Sequence, residues 1–110
     1  MIGQIEKQLE AVDVEERRQA VLQLARRPLS DYGEHMRLLL KAMLDANWRV
    51  RKTTVDVLID NYPVEYYING LMGLLYIEDN AGARNSAIEA LVRLGKKVTS
   101  FLMEAYNTKN

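Results

Sequence analysis

The chain is expected to fold as an all-α solenoid of about three helical hairpins plus a terminal helix, and three observations predict it. Four columns recur at a nearly constant offset: Arg17/Arg51/Arg84, Ala20/Thr54/Ala87, Val21/Val55/Ile88 and Leu24/Leu58/Leu91. The three arginines are 34 and 33 residues apart. Within each segment the small and apolar columns sit at i, i+1 and i+4, one face of a 3.6-residue helix. No stretch sustains the period-2 alternation of a strand. A hairpin of this length cannot bury both its faces alone, so stacked neighbours are required.

Each element has its own signals. Ile2, Ile5, Leu9 and Val12 mark a short first helix. The second, fourth and sixth helices begin after Asp13, Asn47 and Asn80, whose side chains can accept from the free N–H groups of a first turn. Their stops are expected at Pro28, at Asn61-Tyr62-Pro63 and at Gly95. Between them, residues 36–44 place apolar side chains at 36, 39, 40, 43 and 44. Residues 67–77 form a similar stretch, weakened by Gly70 and Gly73, which suit close approach of one helix to another. After Gly95, Val98, Phe101, Leu102 and Ala105 share a helical face and resemble the first helix of a fourth hairpin. The whole is one domain over residues 1–110, with repeats at about 1–30, 31–62 and 63–95 and a partial fourth at 96–110. The second helix of that last hairpin is missing. The array is therefore expected either to continue in a longer chain or to dock its open end on another copy or a partner.

Composition removes several function classes. Fifteen basic residues balance fifteen acidic ones, so bulk attraction to nucleic acid or to an anionic membrane is not the default explanation. The absence of cysteine excludes disulfides, thiol catalysis and thiolate metal sites, and fits a cytoplasmic location. No segment approaches the roughly 20 apolar residues that span a bilayer, and the first ten residues do not read as a signal peptide. A single histidine excludes any site needing two imidazoles.

The stretch Asp45-Ala-Asn-Trp-Arg-Val-Arg-Lys-Thr-Thr-Val-Asp-Val-Leu58 resembles the second half of a HEAT repeat, and residues 79–95 do so too. The flavour resembles the short bacterial, phycobilisome-lyase HEAT-like type. The resemblance is clear over residues 31–95 and looser over 1–30. It implies a right-handed solenoid and a structural ladder in which turn aspartates and early arginines of the second helices stack between repeats. On this chain the ladder residues are Asp45 with Arg51, Asp79 with Arg84 at one residue shorter spacing, and Arg17, preceded by Asp13.

Candidate sites are few. Trp48-Arg49-Val50-Arg51-Lys52 could contact nucleic acid, with the cations on phosphates and Trp48 on a base. It is read instead as a turn in which Trp48 packs on the neighbouring hairpin, because residues 49, 51 and 52 spread around the helix. His35 is expected on a helix surface, and its pairing with Glu34 is too little for a metal site. Asp56, Asp60 and Glu65 have spacing that could hold a divalent cation and read as a solvated face. Ser30, Ser86 and Ser100 have no base in sequence reach, so no catalytic, cofactor-binding or metal residue is expected and the chain reads as no enzyme. Stacked hairpins offer a concave face lined by second helices, on which a protein partner can lie. The residues expected to meet it are Arg18, Gln19, Trp48, Lys52, Asp56, Asn85 and Glu89, with Tyr66 or Tyr67 as an exposed aromatic contact. The alternatives are a nucleic-acid-binding HEAT-like domain and an accessory subunit of a chromophore lyase or signalling complex.

Overall fold

A computed structural model describes residues 2–27 and 32–109. Seven α-helices and no strand occur among these residues: α1 (Ile2–Gln8), α2 (Val14–Arg26), α3 (Tyr32–Ala42), α4 (Trp48–Asn61), α5 (Ile68–Leu74), α6 (Ala81–Leu94) and α7 (Lys96–Lys109). A 3₁₀ turn over Val64–Tyr66 links α4 to α5. The expected stop at Pro28, together with Ser30 and the side chains of Leu102 and Ala105, lies outside what is described.

The helix starts follow from single side chains. Asp13 accepts from the Glu16 N–H at 3.0 Å, Asn47 from Arg49 at 2.9 Å and Asn80 from Ala83 at 2.9 Å. Each satisfies a donor that the first helical turn leaves without a partner. Asn80 also donates to the Leu44 carbonyl at 3.0 Å and so ties the start of α6 to the turn after α3. At the other end of α6, Gly95 adopts φ +48°, a conformation that costs other residues a Cβ clash.

Helices α2, α4 and α6 lie side by side in that order, while α1, α3 and α5 each pack on them. The repeat columns carry this arrangement. Ala20, Thr54 and Ala87 are buried where the helices approach, and the Thr54 hydroxyl is satisfied by the Val50 carbonyl at 2.8 Å. Val21 and Val55 are sealed between successive helices, as are Leu24 and Leu58. The third member of the valine column differs: Ile88 is 50% exposed and Val92, one turn on, is 74% exposed. Among the described residues no further helix covers that face of α6, and α7 packs on α6 and the 3₁₀ turn elsewhere.

Helix α3 departs from expectation in its buried face. His35, Met36, Leu38, Leu39, Ala42 and Met43 are buried, whereas Leu40 is only partly covered and Leu44 is exposed beyond the helix end. The positions 35, 38, 39 and 42 form an i, i+3, i+4, i+7 face. Polarity at 35 and smallness at 42 conceal it from a count of large apolar residues. His35 is thus not a surface residue: it is 2% exposed, with Nδ1 2.9 Å from the Tyr62 hydroxyl. Of the two glycines of α5, Gly70 allows close approach, since a Cβ there would meet Leu40 Cδ1 at 2.4 Å. Gly73 faces open space.

The buried tyrosines give a pH prediction. Burial pushes the Tyr62 and Tyr67 phenols up to about 12 from the ordinary 10.0, with nearby Tyr32 adding to the effect on Tyr62, and Glu65 and Asp60 to that on Tyr67. An unfolded tyrosine loses its proton near pH 10 while the folded one keeps it, so the unfolded state binds fewer protons between these values. Stability is therefore expected to hold up to about pH 10 and fall between pH 10 and 12, by on the order of 1–2 kcal/mol per tyrosine. Urea midpoints measured across this range check it. Tyr67→Phe should flatten the fall; an unchanged profile contradicts the assignment.

Candidate interaction face and arginine ladder

The repeat arginines use a common geometry. Arg17 donates through Nη1 to the carbonyls of Ala11 and Val12 at 2.8 and 2.9 Å. Arg51 donates to the Asp45 carbonyl at 2.7 Å, and Arg84 to the carbonyls of Ile77 and Glu78. Each guanidinium thus holds a carbonyl six residues upstream, where the preceding helix has ended and the turn leaves its C=O groups without helical partners.

The remaining nitrogens reach the next repeat. Arg17 Nε lies 2.8 Å from Asp45 Oδ2 and Nη2 3.2 Å from Oδ1, a largely buried bidentate pair. The second Asp45 role is local, its Oδ1 accepting from the Asn47 N–H at 2.9 Å. Arg51 Nε donates to Ser86 Oγ at 2.9 Å. The partners across repeats are thus one carboxylate and one hydroxyl. The Asp45 carboxylate serves Arg17 of the preceding repeat, and Arg51 takes the Asp45 backbone. Asp79 makes no ion pair with Arg84. Gly82 completes the set, since a Cβ there would lie 2.7 Å from Arg51 Cζ.

The exposed sides of α2, α4 and α6 carry most of the expected partner-binding residues. Trp48 is 61% exposed and does not pack into the neighbouring hairpin. It borders an open depression of about 230 Å³ with Arg18, Arg49, Lys52, Thr53 and Asp56. Arg49 and Lys52, three residues apart, share this depression with Trp48, while Arg51 turns inward to the ladder. Ion pairs run across the face: Arg18 to Glu15 at 2.7 Å, Lys52 to Glu89 at 3.8 Å and Arg93 to Asp56 at 2.6 Å. Gln19 joins them by donating to Glu15 at 2.9 Å. Two hydrogen bonds, from Arg18 and then Gln19, hold the Glu15 carboxyl down to about 2. Arg49 forms no ion pair among the described residues, and Asn85 is exposed on α6.

Tyr66 and Tyr67 are not part of this face. Both follow the C-terminal end of α4, whose N-terminal residue is Trp48. A helix of 14 residues separates them by about 20 Å. Tyr66 is half exposed and stacks on Tyr32 with ring centroids 4.2 Å apart. Tyr67 is 1% exposed and cannot be a surface contact as expected.

Among the described residues, no group of three or more His, Asp or Glu side chains gathers as a metal ion would need. Asp56 of the acidic trio is engaged by Arg93. No helix among them is long and apolar enough to cross a membrane. No protein-family model matches the chain, and comparison with curated proteins and with solved structures gives no match.

Proposed function

We propose that the chain is a right-handed α-solenoid of HEAT-like hairpins that acts as a non-enzymatic protein-binding scaffold, with α2, α4 and α6 forming its binding face. One observation carries this reading. A large aromatic side chain, Trp48, stands in solvent at the middle helix of three aligned ones, beside cationic and acidic side chains already ordered by ion pairs. Tryptophan and arginine are the residues from which interface hot spots are most often built, and pre-ordered neighbours reduce the entropy lost on binding. No step of chemistry is assigned to the chain. The exposed Ile88 and Val92 on α6 form a second contact surface in this reading, for another copy or a partner.

Nucleic acid is the alternative, because Trp48, Arg49 and Lys52 do face one depression. Affinity capture from source-cell lysate, with and without nuclease, separates the two. Protein partners retained after nuclease and lost with Trp48→Ala support the scaffold. Recovery of nucleic acid, with proteins released by nuclease and binding that weakens steeply with salt, overturns it.

A further inference from the structure

The depression beside Trp48 carries a charge imbalance that the fold leaves standing. Its lining includes three cations, Arg18, Arg49 and Lys52, and one carboxylate, Asp56. Asp56 is held by Arg93 of α6 at 2.6 Å. Arg18 is held by Glu15 in two hydrogen bonds of 2.9 and 2.7 Å. Glu15 also accepts from Gln19, and Arg49 acts on it only through space. Lys52 stands 3.8 Å from Glu89, beyond hydrogen-bond distance.

Arg49 and Lys52 are therefore the cations least committed to the fold. Both are exposed on α4, and at three residues apart they are neighbours, with Cβ atoms about 5–6 Å from each other. A single carboxylate can reach both. Arg49 stands in the first turn of α4, where the helix dipole favours an acid and none is present. Its charge there costs the helix stability rather than adding to it. Trp48, 61% exposed, supplies the apolar part of the same depression.

From this arrangement we infer that the depression receives an acidic segment of a protein partner. One carboxylate of that segment lies between Arg49 and Lys52, and an adjacent apolar side chain covers the Trp48 indole. Glu15, Asp56 and Glu89 decide against a run of phosphates. They stand among the cations as ion-pair partners, so a continuous polyanion meets like charge, whereas a peptide presents its acids singly. The inference rests on the scaffold reading and names the chemistry of its partner.

The test uses the full chain, with its single tryptophan as reporter. The probe is the synthetic peptide acetyl-Glu-Glu-Phe-Glu-Glu-amide, which contains no tryptophan. Its uncharged Gln-Gln-Phe-Gln-Gln counterpart and a short oligothymidylate are run in parallel. The expected result is a saturable blue shift of indole emission with the acidic peptide, the uncharged one binding at least about tenfold more weakly. Arg49→Gln/Lys52→Gln should weaken the acidic peptide about tenfold or more. It should bring no loss of melting temperature, because both side chains are exposed. Lys97→Gln, on α7, should leave the affinity unchanged. Absence of a saturable change up to about 10 mM overturns the inference. So does equal binding of the uncharged peptide, or unchanged affinity in the double variant. Tighter binding of the oligothymidylate assigns the depression to nucleic acid and overturns it as well. In the lysate capture the two readings fail separately. Partners lost with Trp48→Ala but retained by Arg49→Gln/Lys52→Gln leave the face standing and remove the acidic occupant. Partners retained by Trp48→Ala remove the face itself.

Discussion

Leu58→Ala should destabilise the fold by about 2–5 kcal/mol, whereas Ile88→Ala should cost less than about 1 kcal/mol. Both residues belong to repeat columns that are apolar in all three segments, so sequence pattern alone gives them equal weight. Packing separates them. Leu58 lies on α4, the middle helix, and is fully buried within the core formed with α2 and α6. Removing its side chain leaves a cavity that close-packed neighbours on both sides cannot collapse into. Ile88 already has half its surface in water, so truncation loses little burial. For a chain of this size the Leu58 variant should melt roughly 10–25 °C lower. Thermal and urea unfolding of the two variants check the contrast. Val55→Ala against Ile88→Ala repeats it within one column.

Asp45→Ala should cost about 2–4 kcal/mol, although a substitution in a turn is ordinarily mild. The carboxylate accepts from Arg17 Nε and Nη2 and from the Asn47 N–H. Its loss leaves the Arg17 guanidinium largely buried without its counter-charge and loosens the start of α4. Asp45→Asn retains acceptor geometry without charge and should cost about half as much. A cycle with Arg17→Met should show coupling of about 1–3 kcal/mol. Additive effects would mean that the pair is incidental to the α2–α4 junction. By contrast Asp79→Ala, with no ion pair to Arg84, should lie within about 0.5 kcal/mol of wild type.

The helices and their order were legible because each rests on local signals. Asp13, Asn47 and Asn80 cap as their residue types predict, Gly95 supplies the required backbone conformation, and the columns at 20/54/87 and 21/55 mark the contact faces. What escaped depends on which element lies opposite. Periodicity identifies a face, not its neighbour, so Arg17 could not be assigned to Asp45, 28 residues away, or Arg51 to Ser86, 35 residues away. Gly82 carried no sign that it makes room for Arg51. His35 and Tyr67 were misplaced because both are amphipathic, and burial depended on a partner or a cleft across the fold. Trp48 was misplaced in the other direction: a large aromatic at a helix start is normally covered, and here it is 61% exposed.

That exposure provides the most direct measurement. Trp48 is the only tryptophan, so the chain's indole emission reports on one point of the proposed binding face. Acrylamide quenching should be measured on the free chain and on the chain saturated with a nuclease-resistant partner recovered by capture. The scaffold account predicts red-shifted, readily quenched emission when free, and a blue shift with strongly reduced quenching in the complex. A complex in which Trp48 emission and quenching are unchanged would show that the partner binds elsewhere and would contradict the account.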